Sequence, residues 1–237
     1  MPLPSVEMVS NRVKEYTVTD RSSDRLFAVS GVASVILMYA GVIIGALGGR
    51  EFATITSSPQ HIAHVLAKPA GTAVWVGAYV EVLSFGCFLA FAVWACSRLG
   101  GGVLGNVARS AATSFVTLSV ASLGVLDAIA YRSGKGMGVQ LGAALVTVNE
   151  GLFVCTWFLA SFFLIAIGSL ALVSGRRAIG SSALAVAAIQ LVTTATSLDN
   201  LGQFSFTLFM LWIAYASISL ARTPHARPLT EAAVQAA

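Results

Sequence analysis

Residues 72–97, TAVWVGAYVEVLSFGCFLAFAVWACS, carry one charged side chain, Glu81, in a run long enough to cross a bilayer. Such a crossing takes about 20 apolar residues as a helix. Five further runs are similarly apolar: 27–48, 108–130, 141–173, 178–197 and 203–221. In hydrocarbon every backbone N–H and C=O must be satisfied within the protein, so these runs are expected to be helices. The chain is 57% hydrophobic and 10% charged, against about 25% charged in soluble domains. An ordinary soluble domain is thereby excluded.

The expected fold class is all-α, a polytopic six-helix transmembrane bundle. Residues 1–25 read as a polar, loosely ordered cytoplasmic arm, 26–222 as the membrane domain and 223–237 as a cytoplasmic tail. No apolar core follows the first few residues, so the arm does not read as a secretory signal. Between the first two spans, Ser58-Pro59 is a helix-start signal, an N-cap followed by proline in the first turn. The QHIAHVLA that follows is too short to span and predicts an interfacial helix ended by Lys68-Pro69. RLGGGVLGN, after the second span, reads as a loop, with Gly100–Gly102 as a turn.

Lys and Arg concentrate on the cytoplasmic side of membrane proteins. With the N-terminus inside, ten of the fourteen fall on inner segments, and Arg50, Lys68, Arg132 and Lys135 on outer ones. The rule favours a cell-membrane protein with both termini cytoplasmic. The net charge of +4 suits anionic lipid headgroups. The basic residues are dispersed rather than clustered, which argues against nucleic acid as a partner.

That topology sets the order of the acidic groups. Glu81 falls in the outer half of the second span, Asp127 near the outer end of the third, Glu150 in the outer half of the fourth, and Asp199 in an outer connection. Asn149 precedes Glu150, and Gln190, Thr193, Thr194 and Ser197 make a polar stripe toward the outer end of the fifth span. His61 and His64 share one face of the interfacial helix. These groups predict a carboxylate-lined pocket facing outward. Acids inside a membrane are costly and mark proton relays or ion sites by default, so Glu81 and Glu150 are the candidate acid/base pair. Asp127, Asn149, Gln190, Asp199, His61 and His64 are candidate ligand contacts. For Asp127 and Asp199, near the water boundary, solvation or a helix-end role fits equally well.

Gly77, Ala78 and Ser84 share a narrow helical face with Glu81. Gly41 and Gly45 form a GxxxG, which permits close packing within the bundle or against a second protomer. The histidine pair lacks an HExxH, and no metal is expected. Cys87, Cys96 and Cys155 lie in apolar sequence without a CxxC and read as packing residues. No P-loop, nucleophile elbow or dinucleotide fingerprint occurs in a credible context, and no cofactor is expected. The spacings Glu81–Asp127 and Glu150–Asp199, with VEVLSFGCF echoed by NEGLFVCTWF, are compatible with a parallel duplication of a two-helix unit.

The run AYVEVLSFGCFLAFAVWACSRL, Asn149-Glu150 heading an aromatic-rich span, and the basic SGRRAIG turn resemble a group of uncharacterised small bacterial six-span integral membrane proteins. The resemblance covers about residues 25–222 and implies a fold. In size and buried acids the chain is also distantly similar to the membrane-bound terpene cyclases, which use intramembrane acids to protonate an isoprenoid epoxide or alkene. Two functions remain: binding or transport of a proton, cation or small amphiphile, or acid–base catalysis within the membrane on a lipid-soluble, isoprenoid-like substrate.

Overall fold

A computed structural model describes the backbone of residues 6–49, 51, 53–54, 56–196 and 199–222, with side chains for all of these except 6–23 and 199–203. The termini beyond Val6 and Arg222 and the side chain of Asp199 lie outside the described residues.

The described chain is all-helical, with seven helices. Six contain stretches long and apolar enough to cross a membrane, as a multi-pass membrane protein requires. α1 runs Val6–Leu47, so helix already occupies the region read as a loose arm. Its apolar part is Asp24–Leu47. α2 (Pro59–Ala67) starts where its signal lies, the Ser58 side chain accepting from His61 N. α3 is Thr72–Arg98, α4 Gly102–Arg132, α5 Val139–Val173, α6 Arg177–Ala195 and α7 Asp199–Arg222.

α4 begins six residues before the expected 108. Gly100, Gly101 and Gly102 have φ of +102°, +66° and +70°, a left-handed conformation that costs glycine almost nothing. The three complete the reversal themselves, and VLGN is released into the helix. The two presumed repeat units differ in build, with helices of 27 and 31 residues in one and 35 and 19 in the other. That disparity speaks against the duplication.

The spans form a closed ring in the order α1, α3, α4, α5, α6, α7, with α7 packing back on α1. Aromatic rings fill its centre. Phe88 of α3 stands 5.3 Å from both Phe115 of α4 and Phe163 of α5, and 5.8 Å from Phe209 of α7. Edge-on rings at such distances gain energy beyond their buried area. They plug the bundle where a pore would run.

Two seams are set by glycine. A Cβ on Gly77 would lie 2.6 Å from the Gly41 carbonyl oxygen and 2.7 Å from Gly45 N, so α1 and α3 meet backbone to backbone. The GxxxG of α1 is thus occupied within the chain. Gly168 and Gly180 bring α5 and α6 together in the same way, a Cβ on Gly180 lying 2.7 Å from Gly168 O. Lipid tails are as apolar as leucine, so close van der Waals packing of this kind, rather than hydrophobic burial, drives helix association in a bilayer.

The ends differ. Where α3 stops, Arg98 Nη1 lies 3.6 Å from Asp24 Oδ2 and its Nη2 donates to Leu220 O at 3.2 Å. Trp94 Nε1 donates to Asp24 Oδ1 at 3.0 Å, and the guanidinium sits 5.7 Å from the Trp94 ring. This clasp ties α1, α3 and α7. At the opposite end α4 and α5, about 46 and 52 Å long, exceed a hydrocarbon core of about 30 Å. α2 lies against them there, its Ile62 and Leu66 joining Ile129 and Val146 in a small separate core.

Candidate functional site

Glu81 is 6% exposed. It follows Gly77 by one turn on the α3 face that meets α1. A Cβ on Gly41 would fall 2.6 Å from Glu81 Cγ, so the acid's stem lies flat on the bare backbone of that glycine. One turn further, Ser84 Oγ donates to Glu81 O at 2.7 Å and approaches Met38 Sδ at 3.9 Å. The room for Glu81 is therefore made by the glycine seam itself.

The other polar groups occupy different seams. Ser122 Oγ of α4 donates to Asn149 Oδ1 of α5 at 2.7 Å, with half-buried Glu150 as the next residue. Asp127, also half-buried, follows Ser122 on α4. Gln190 of α6 is fully buried and accepts from Ser161 Oγ of α5 at 3.4 Å. Its Nε2 has no hydrogen-bond partner among the described residues. A turn along α6, Thr193 shares a 2.7 Å hydrogen bond with Ser205 of α7.

At a rise of about 1.5 Å per residue, Glu81 stands about 14 Å from the N-terminus of α3 and Glu150 about 17 Å from the N-terminus of α5. Glu81 sits in the α1/α3 seam, and Asn149 in the α4/α5 seam. α3 and α5 make no extensive pairing. Their rings meet at Phe88 and Phe163, 5.3 Å apart.

His61 and His64 lie on the exposed face of α2. His64 Nε2 is 3.9 Å from Glu51 Oε2, and Lys68 Nζ is 2.5 Å from Glu51 Oε1. The hydrogen bond from Lys68 holds the Glu51 carboxyl below its ordinary 4.5; lost hydration opposes this, and the charges of Lys68, His64 and His61 add to the lowering. Among the described residues no three His, Cys, Asp or Glu side chains converge as a metal site.

A cavity of about 60 Å³ lies beneath α2, walled by Ile62, Leu66, Val74, Ile129 and Val146, with Glu51 and Lys68 among its polar lining. None of Glu81, Asp127, Asn149 and Glu150 lines it. A second void of about 10 Å³ lies between Met38, Ser84 and the central rings, at the lower limit for one water.

Two groupings escaped sequence reasoning. The Asp24–Arg98–Trp94 clasp had one signal: Asp24 opens the first span and Arg98 closes the second, so topology puts both at one level. The Glu51–Lys68 pair had none, because it depends on how α2 folds back. No family model, curated protein or solved structure matches this chain.

Proposed function

We propose that this is a binding or transport-type protein of the cell membrane, with both termini cytoplasmic, in which Glu81 takes up a proton or cation from the outer side. The observation that carries this reading is the near-complete burial of Glu81 against Gly41. A carboxylate deep in the membrane costs on the order of 3 kcal/mol on insertion scales. Packing alone would be served as well by an apolar side chain. The orientation rests on the surplus of Lys and Arg at the Arg98 end. On it, Glu81, Asp127 and Glu150 all lie in the outward halves of their helices. The aromatic plug and the Arg98 clasp lie inward of Glu81. A group that accepts a proton from one face while the other is sealed has the arrangement that coupled binding needs.

The test is infrared difference spectroscopy of the protein in lipid nanodiscs, taken across a pH titration. A buried carboxyl band should titrate, vanish in Glu81→Gln and shift in Glu81→Asp. Acid-driven dye response in proteoliposomes should fall with it. Should the full band and the dye response survive in Glu81→Gln, with the variant folded by circular dichroism, the reading is wrong.

A further inference from the structure

The cavity beneath α2 has apolar walls and a rim of unequal charge. Ile62 and Leu66 form its roof, and Val74, Leu126, Ile129 and Val146 lie below. The roof is fixed at its C-terminal end: Gly134 N donates to Leu66 O at 2.8 Å, and Gly134 abuts Pro69, a Cβ there lying 3.1 Å from the proline ring. This docking carries the α4–α5 turn to the rim. Ser133 lines the cavity, and exposed Arg132 and Lys135 flank Ser133-Gly134. Lys68 lines it directly. Against these three cations stands Glu51, already bonded to Lys68. His61 and His64 add positive charge on α2 when protonated. Asp127 belongs to the span below, and Lys135 also stands 3.7 Å over the Tyr131 ring.

We infer that this cavity binds a single-chain anionic amphiphile, a fatty carboxylate whose head meets Lys68 and the Arg132–Lys135 turn while a short alkyl segment enters beneath α2. The inference shares only the membrane placement of the reading above, and none of the membrane acids takes part in it. The volume of about 60 Å³ corresponds to roughly four water-sized probes, which suits a few methylenes and excludes a diacyl lipid. The net positive rim selects carboxylate over ammonium. Any binder at this place must bridge helices α2, α4 and α5, so occupancy should slow the release of α2.

The test uses calorimetric titration of the full-length protein in nanodiscs with octanoate, octylammonium and octanol. Octanoate should bind best. Lys68→Gln and Lys135→Gln should each weaken it about threefold to fivefold, as for an exposed charge contact, and added salt should weaken it further. Ala130→Leu and Ala53→Leu, which add bulk at two lining positions, should abolish it, and hydrogen exchange of α2 should slow only in the octanoate-bound wild type. Equal binding of the three probes overturns the inference, as does unchanged octanoate binding in both filled variants. If octanoate fails while the Glu81 carboxyl titrates, this inference falls alone. If octanoate binds and no Glu81 band exists, the proton reading falls alone.

Discussion

Gly77→Ala should destabilise the bundle by about 1–3 kcal/mol, the usual range for overpacking a close-packed interior. The added methyl would meet Gly41 O at 2.6 Å, Gly45 N at 2.7 Å and Gly45 Cα at 3.0 Å, where ordinary contact is 3.4–4 Å. All three are backbone atoms and cannot rotate aside, so α1 and α3 must part by about 0.8 Å locally. A gap of that size forfeits about a quarter to a half of each dispersion contact, worth about 0.15 kcal/mol apiece. Over about twenty atom pairs near the crossing the loss is about 1 kcal/mol, and residual overlap adds to it. Gly86→Ala is the control on the same helix. Nothing lies within 4 Å of its Cβ position, and alanine is the better helix former by up to about 1 kcal/mol. Thermal unfolding in one detergent, followed by circular dichroism, should place Gly77→Ala below wild type and Gly86→Ala at or above it. If Gly77→Ala melts no earlier than Gly86→Ala, the backbone-to-backbone seam does not exist and the burial of Glu81 loses its basis.

Arg98→Gln removes the ion pair with Asp24 and the bond to Leu220 O. With Arg98 only 9% exposed and Asp24 27%, the cost should be about 1.5–3 kcal/mol, the scale of hydrogen bonds to a charged group, partly recovered in Asp24→Asn/Arg98→Met when unfolding midpoints are compared. Ser122→Ala deletes the 2.7 Å bond to Asn149 and should cost about 1 kcal/mol, the scale of an interhelical bond in a membrane, in the same assay. The lowered Glu51 pKa gives α2 a pH dependence of definite sign. A carboxyl depressed from 4.5 contributes its stabilisation above 4.5 and loses it as pH falls through the folded value. Protection of the α2 amides, corrected for the intrinsic exchange rate at each pH, should therefore fall below pH 4.5, and Lys68→Gln should flatten that response.

The spans were legible because hydropathy and length leave few options once a run exceeds about 20 residues. α2 was legible because Ser58-Pro59 and Lys68-Pro69 punctuate it at both ends. The seam partners were harder to read. Gly41 and Gly45 announce a close contact, and Gly77, Ala78 and Ser84 a narrow face on the next span, yet nothing in either pattern says that the two belong together. The separation of the polar groups was hidden for a different reason. Glu81 and Glu150 each fall in the outer half of a helix, but position along a helix does not say which seam a side chain enters. Glu81 lies against Gly41 of α1, whereas Asn149, beside Glu150, is bonded to Ser122 of α4. Asp199, in the tight connection before α7, has no described side chain to compare.

The two ways of joining helices in this bundle divide the labour of stability. At the α1/α3 and α5/α6 seams the backbones touch through Gly77 and Gly180, and any added atom is felt by the whole crossing. α7 closes the ring by other means. Tyr39 OH donates to Thr207 Oγ1, Ser217 Oγ to Ala28 O and Arg98 Nη2 to Leu220 O, while Thr193 meets Ser205. Each neutral bond of this kind is worth about 0.6–2 kcal/mol and can be lost singly. One contact on α7 breaks that pattern: a Cβ on Gly31 would lie 2.0 Å from Ser217 Oγ and 2.8 Å from the Phe91 ring. Gly31 is thus the point where α1, α3 and α7 press together just above the Arg98 clasp. The clasp can hold three helices with one guanidinium because that glycine lets them converge, and side-chain changes elsewhere on α7 should leave the ring closed.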